Sequence, residues 1–248
     1  EDDFDYDLPP EAIRISYTHT HSAPAGGSSQ SWVAGGTEMM ASYYANLNQC
    51  AAGAAWTALR SMEPARISAG TGVSDISVNR RYQRPDDGVV VVGRNWDGPR
   101  DPEVRVLRLD RLDGSPLAAI AHFGCHPITV GPDNDLITPD YPGVVKRVVA
   151  EATRATTLFL QGAAGDVGPV RGVARHGGRE YTRLGTILGL EAARIWLEND
   201  PVRTEERYLH TVESGAPLAD YDDVPLEDAP AAVRVVRRTV ELPAKQAQ

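Results

Sequence analysis

The chain has 248 residues, 42% of them hydrophobic and 24% charged, enough apolar material to bury a sizeable core. Its formal net charge is −9 and it holds no basic run, which argues against nucleic acid and against an anionic membrane surface as partners, since both need clustered Lys and Arg. No apolar stretch approaches the roughly 18–20 residues of a membrane span, so no transmembrane segment is expected.

The first residues, EDDFDYDLPPEAIRIS, carry neither an initiating Met nor a signal peptide, and the last, VVRRTVELPAKQAQ, end on a strand-like run. Residues 1–248 therefore read as a single partial domain truncated at both ends. Ile13 to Tyr17 predicts a strand after Pro9 and Pro10. The segment from Thr37 predicts a long helix: Met40, Tyr43, Tyr44, Leu47, Cys50, Ala51 and Ala54 keep helical spacing, Thr37 suits an N-cap, and Pro64 stops the run. Ala65–Thr71 and Val89–Val92 predict short strands. Residues 103–127 predict a hairpin about Asp113-Gly114, a favoured turn pair.

Helical spacing returns over Tyr141–Thr153 and again over Tyr181–Glu198, with a buried strand at Thr157–Leu160 between them. The acidic stretch Asp220–Asp228 predicts a surface loop and Val233–Leu242 a last strand. This alternation predicts an α/β fold in which a mixed sheet is layered with helices. Cys50 and Cys125 leave buried free thiols and a single disulfide both open.

Four of the six histidines fall in THTH (18–21) and AHFGCHP (121–127), each where an apolar run meets a Gly/Pro loop. Such ends are where sites are assembled, because the core fixes the backbone while the loop frees the side chains. On an extended backbone His19 and His21 point to one face, which suits one metal ligand plus a neighbour acting on what the metal binds. A lone histidine at a strand end is more often structural; the pair and the second His-Pro shift the balance toward metal. His122, inside the strand, reads as structural, and His176 and His210 are isolated.

Three further pieces carry chemistry. FLQGAAGDVGP (159–169) places Gly162, Gly165 and Gly168 around Asp166 after a buried strand. Such a loop exposes backbone N–H groups for an oxyanion or a phosphate, or is a plain turn. In SVNRRYQRP, Arg80 or Arg81 suits developing negative charge, unless it simply solvates. In LITPDYPG, Asp140 reads as an N-cap.

In this order, THTHSAP at 18–24, VNR at 78–80, DGPRDPEVRVLRLDRLDGSPLAAIAHFGCHP at 97–127, DYPG at 140–143 and FLQGAAGDVGP at 159–169 resemble the neutral ceramidase family, the neutral/alkaline non-lysosomal amidases of the ceramide type. The similarity spans roughly residues 10–200. It implies a partial catalytic domain of a Zn2+-dependent amidase acting on a lipid or other N-acyl small molecule. By resemblance His19 and His126 are zinc ligands, with a Glu and a Tyr of the family expected beyond Gln248. His21 and Arg80 resemble residues that act on the scissile amide and its oxyanion. One departure stands out: the family carries serine in GDVSP, and this chain has Gly168 there. Glycine brings no nucleophile, so Gly168 keeps a second reading open, a catalytically inactive ceramidase-like binding domain. A third is another metal-dependent amidohydrolase, since H-x-H also opens amidohydrolase barrels. That fold expects a bridging Lys and eight βα units, which few lysines and an antiparallel hairpin disfavour.

Overall fold

The computed structural model describes residues 13–24, 37–131, 134, 136–171, 179–226, 233–234, 236 and 238–241. The chain packs as two units that part between Pro201 and Val202.

The first unit opens with helix α1 (Thr37–Arg60) and is built on a four-stranded sheet. The order is β1 (Ala65–Val73), β4 (Glu103–Arg111), β5 (Pro116–Phe123), β6 (Thr156–Gln161). The β1–β4 and β4–β5 pairs are antiparallel; β5 and β6 run parallel, joined across helix α2 (Asp140–Thr153). The hairpin between β4 and β5 closes at Asp113-Gly114 as the turn chemistry predicts. Gly114 takes φ +85°, and Arg111 N–H donates to Ser115 O at 2.9 Å. This is the mixed sheet with helices expected of the α/β class.

Period-two alternation decides which sheet face is covered. Val104, Val106, Ala119, Ala121, Phe123 and Phe159 are buried against Val145 and Val149 of α2 and Leu184, Leu188 and Ile195 of helix α3 (Glu180–Glu198). The same face carries Arg108, whose guanidinium lies 3.9 Å from the Trp196 ring centroid and pairs with Asp110 Oδ2 at 2.7 Å, while Asp110 Oδ1 has no hydrogen-bond partner among the described residues. The two helices approach closely because α3 presents glycine. A Cβ on Gly185 would lie 2.6 Å from Val144 Cβ and 2.8 Å from the Tyr141 carbonyl oxygen. Gly185→Leu is therefore expected to destabilise the protein by about 2 kcal/mol, overpacking outweighing the roughly 1 kcal/mol gained in helix propensity. A urea midpoint at or above that of the wild type would contradict this.

A second sheet of the first unit, ordered β3 (Val90–Asn95), β2 (Ser77–Gln83), β7 (Val167–Pro169), is antiparallel throughout. The β2–β3 ladder loses register between Asn79 and Arg81, at Arg80. Such irregularities re-aim side chains.

The second unit contains an antiparallel hairpin, β8 (Thr204–Glu213) and β9 (Pro217–Pro225), turned at Gly215 with φ +80°.

Three sequence expectations fail here. Ile13–Tyr17 joins no ladder: Ile13, Ile15 and Tyr17 are exposed, and an apolar alternation without a neighbouring strand has nothing to pair with. Asp220 to Pro225 lies in β9 rather than a loop, because pairing with β8 supplies what its acidic residues obscure; Leu226 follows the strand, and 227–228 are outside the described residues. The described residues of 233–241 belong to no strand. Cys50 is exposed and Cys125 buried, both free thiols. No described helix is long and apolar enough to cross a membrane.

Candidate active site

The backbone after β5 is fixed from several sides. Gly124 lets the chain pass Ala163, whose carbonyl oxygen would sit 2.7 Å from any added Cβ. The Cys125 carbonyl accepts from the Tyr141 hydroxyl at 2.5 Å and from Gln161 Nε2 at 3.0 Å, and Gly162 N–H donates to Phe123 O at 2.9 Å. Burial pushes both the Cys125 thiol and the Tyr141 hydroxyl up, so Tyr141 stays a neutral donor.

His126 follows on this support. Its N–H donates to Val167 O at 3.1 Å, and its Nδ1 lies 2.7 Å from the Ala164 carbonyl. A carbonyl can only accept, so Nδ1 carries the proton and Nε2 presents its lone pair. Nε2 lies 3.0 Å from His19 Nε2, and ligand nitrogens of His19, His21 and His126 all fall within 4.8 Å of one another. His126 is buried; His19 and His21 are exposed.

His19 and His21 reach the cluster by a route the period-two argument did not anticipate. Their segment is not a strand, and His19 takes φ +64°. Left-handed backbone is uncommon in non-glycine residues and concentrates at functional sites. Among the described residues, His19, Asp140 and Arg154 share it, and the first two lie here. The segment is tied by His21 N–H to Pro127 O at 3.4 Å, Thr20 Oγ1 to Thr138 O at 3.0 Å, and Thr138 N–H to Ser22 O at 2.9 Å.

Arg80 stands beside the cluster and braces the glycine loop. Its Nε and Nη2 both donate to Gly165 O, at 3.1 and 2.8 Å, and its N–H donates to Asp166 O at 2.7 Å. Two of five guanidinium N–H groups are used in this way. Gly168 pairs with Val78 in β2, and a Cβ there would touch the Arg80 stem at 3.5–3.6 Å.

The electrostatics favour the neutral forms of His21 and His126. Partial burial is the main cause lowering His21, followed by the charges of His19 and Arg80, with Asp140 pulling the other way. Burial also leads in lowering His126, opposed by its Ala164 bond and reinforced by Arg80, His19 and His21. Neutral imidazole is the form that binds metal. Zinc–nitrogen bonds of about 2.0–2.1 Å at a tetrahedral centre separate ligand nitrogens by roughly 3.3 Å. The 3.0 Å between His19 and His126 is close to that spacing, so the donor set fits the ion.

Asp140 corrects the sequence reading. The N-cap of α2 is Pro139, with no side-chain cap bond, and Asp140 is the first helical residue, fully buried at φ +51°. Its carboxylate instead accepts from Thr129 N–H at 2.9 Å, Val130 N–H at 3.4 Å, Tyr141 N–H at 2.6 Å and the Thr129 hydroxyl. The motif DYPG was visible in the sequence, but helix-start statistics favour a cap and hide this use. His122 lies in β5, its buried Nδ1 without a partner among the described residues; desolvation lowers its pKa. His210 is an exposed β8 residue 3.8 Å from the Asp220 carboxylate, and His176 lies outside the described residues.

Residues 5–174 match the family model described as neutral/alkaline non-lysosomal ceramidase, N-terminal. Neutral ceramidases B and A of Dictyostelium discoideum are each 30% identical to this chain, over 170 and 135 residues. Those alignments cover 63% and 53% of this chain but 23% and 19% of the relatives. Among solved structures, a ceramidase complexed with C2 and the neutral ceramidase from Pseudomonas aeruginosa align at 20% identity with TM-scores of 0.41 and 0.39. Each alignment covers 63% of this chain and 28% of the solved one. This chain thus spans less than a third of each of these proteins.

Proposed function

Because the chain belongs to the neutral/alkaline non-lysosomal ceramidase family, we propose that it supplies the histidine cluster of a zinc-dependent amidase that cleaves the amide bond of ceramide or a related N-acyl compound. The observation that carries this reading is the meeting of His19, His21 and His126, 107 residues apart at its ends, around a lone pair fixed by the Ala164 carbonyl.

His19 and His126 would hold the ion, which when bound supplies Lewis acidity toward the amide carbonyl and toward water. His21, neutral near pH 7, takes a proton from the attacking water and returns one to the leaving amine. Arg80 keeps the loop 162–168 in place with two N–H groups and offers the remaining three to developing oxyanion charge. Gly168 has no hydroxyl, so the nucleophile is water rather than a side chain of β7. The same glycine is what favours the inactive binding-domain reading.

The test uses the full-length protein purified with zinc and a short-chain N-acylsphingosine, with fatty-acid release followed by mass spectrometry. Release that a chelator abolishes is expected. Arg80→Ala should lower turnover by roughly 10²-fold, the usual scale for losing an oxyanion partner, while zinc content stays at the wild-type level. Unchanged turnover would reduce Arg80 to a brace for the loop. A fully zinc-loaded protein that releases nothing would favour the binding domain.

A further inference from the structure

We infer that the segment Thr138–Asp140 is a two-sided bracket that assembles the histidine cluster, and that Asp140 is a positioning residue for its metal ligands. The inference rests on the zinc reading of that cluster.

The segment grips both histidine-bearing stretches at once. On one side, Thr138 N–H donates to Ser22 O at 2.9 Å and Thr138 O accepts from the Thr20 hydroxyl at 3.0 Å, so its backbone flanks His21. On the other side, the Asp140 carboxylate collects Thr129 N–H, the Thr129 hydroxyl and Val130 N–H, the residues that leave the His126-Pro127 corner. Within the segment, Asp140 N–H donates to Thr138 Oγ1 at 3.1 Å, locking the two halves together. The N–H, carbonyl and hydroxyl of Thr138 and both carboxylate oxygens of Asp140 are therefore all engaged.

An ordinary cap does not account for this. Three of the four donors to Asp140 come from a loop ten or eleven residues upstream rather than from its own helix. A carboxylate with no exposed surface is costly unless fully hydrogen-bonded, and Asp140 is also held in left-handed backbone. Both costs are accepted at the segment that touches both loops. The stretch carrying His19 and His21 belongs to no ladder. Among the described residues its backbone is anchored to the rest of the unit only through Pro127 and Thr138. Groups that orient metal ligands in this way are typically worth about 10–100-fold in metal affinity.

The test compares the wild-type protein with Asp140→Asn and Thr20→Val. Asparagine keeps the shape of aspartate but turns an NH2 group toward N–H donors; valine removes the hydroxyl that donates to Thr138 O and accepts from Ser22 N–H at 3.3 Å, leaving the backbone bond between Thr138 and Ser22 in place. Zinc affinity is measured by chelator competition, the Co2+ visible spectrum reports ligand geometry, and amide exchange at His21 is followed in metal-free protein. Both variants are expected to bind zinc roughly 10–100-fold more weakly, with a changed Co2+ spectrum and faster His21 exchange. The urea midpoint of Thr20→Val should stay near that of the wild type. Wild-type zinc affinity and His21 protection in folded Thr20→Val would overturn the bracket, and that variant decides the matter if Asp140→Asn does not fold. If the wild-type protein binds no zinc, the zinc reading fails; the bracket is then judged by His21 exchange alone.

Discussion

His126→Ala is expected to cost the protein most of its affinity for zinc. A zinc site is worth about 10–16 kcal/mol, so one ligand of four carries roughly 3–4 kcal/mol, or about 10²–10³ in affinity. His126 should stand at the upper end, because its Nε2 lone pair is fixed by the Nδ1 bond to Ala164 O at 2.7 Å. The affinity of the intact site has a predictable pH dependence. Protons compete with metal only where the imidazoles titrate, and burial moves His126 and His21 below the ordinary histidine value. Proton competition at His126 and His21 should therefore set in at lower pH than at an ordinary histidine. The same shifts act on the metal-free protein: above pH 6.5 neither state binds the protons, and below it the unfolded chain takes them up first. Stability contributed by these groups falls as pH drops from about 6.5 toward the lowered folded values. A zinc titration of His126→Ala that matches the wild type would remove this residue from the site.

Gly168→Ser carries the second large expectation, because it separates two kinds of protein. The substitution should be easy to accommodate. No positive φ marks Gly168, and its new Cβ would meet the Arg80 stem at 3.5–3.6 Å, ordinary van der Waals contact. Stability should change by less than about 0.5 kcal/mol. A hydroxyl on that Cβ would join the wall that Arg80 and the glycine loop already form. If water is the nucleophile, the wild-type enzyme hydrolyses its substrate and Gly168→Ser alters the rate without being required for it. If instead the wild-type protein is zinc-loaded and inert, and Gly168→Ser creates amide hydrolysis from nothing, the domain is a binding module that lost its nucleophile.

The sequence was most informative where local chemistry and tertiary demand coincide. Asp113-Gly114 closes the β4–β5 hairpin because the turn needs positive φ and glycine supplies it. The apolar spacing of α2 and α3 marks the faces that cover the sheet. It misled where pairing partners, rather than residue types, decide. Polar β8 and β9 form a ladder that their composition conceals, while apolar Ile13–Tyr17 finds none. The site shows the same division. The glycine loop and the histidine motifs were visible as patterns, but the left-handed turn at His19 and the buried role of Asp140 depend on contacts 118 and 10–11 residues away in sequence.

The tie between Thr20 and Thr138 spans 118 residues. At roughly 5–20 residues per second of synthesis, the Thr-His-Thr-His segment waits about 6–24 s in the growing chain before its anchor exists. Closing so long a loop costs about 2 kcal/mol more than closing one of ten residues, and the full set of bonds that offsets it, to Pro127 and to Thr138, exists only once Thr138 arrives. The histidine cluster therefore cannot be completed before Thr138 is made, and α2, β6 and α3, which finish and cover the sheet, are made later still. Metal loading belongs after release of this region from the ribosome, and a nascent chain stalled before residue 138 should bind zinc no better than an unfolded peptide.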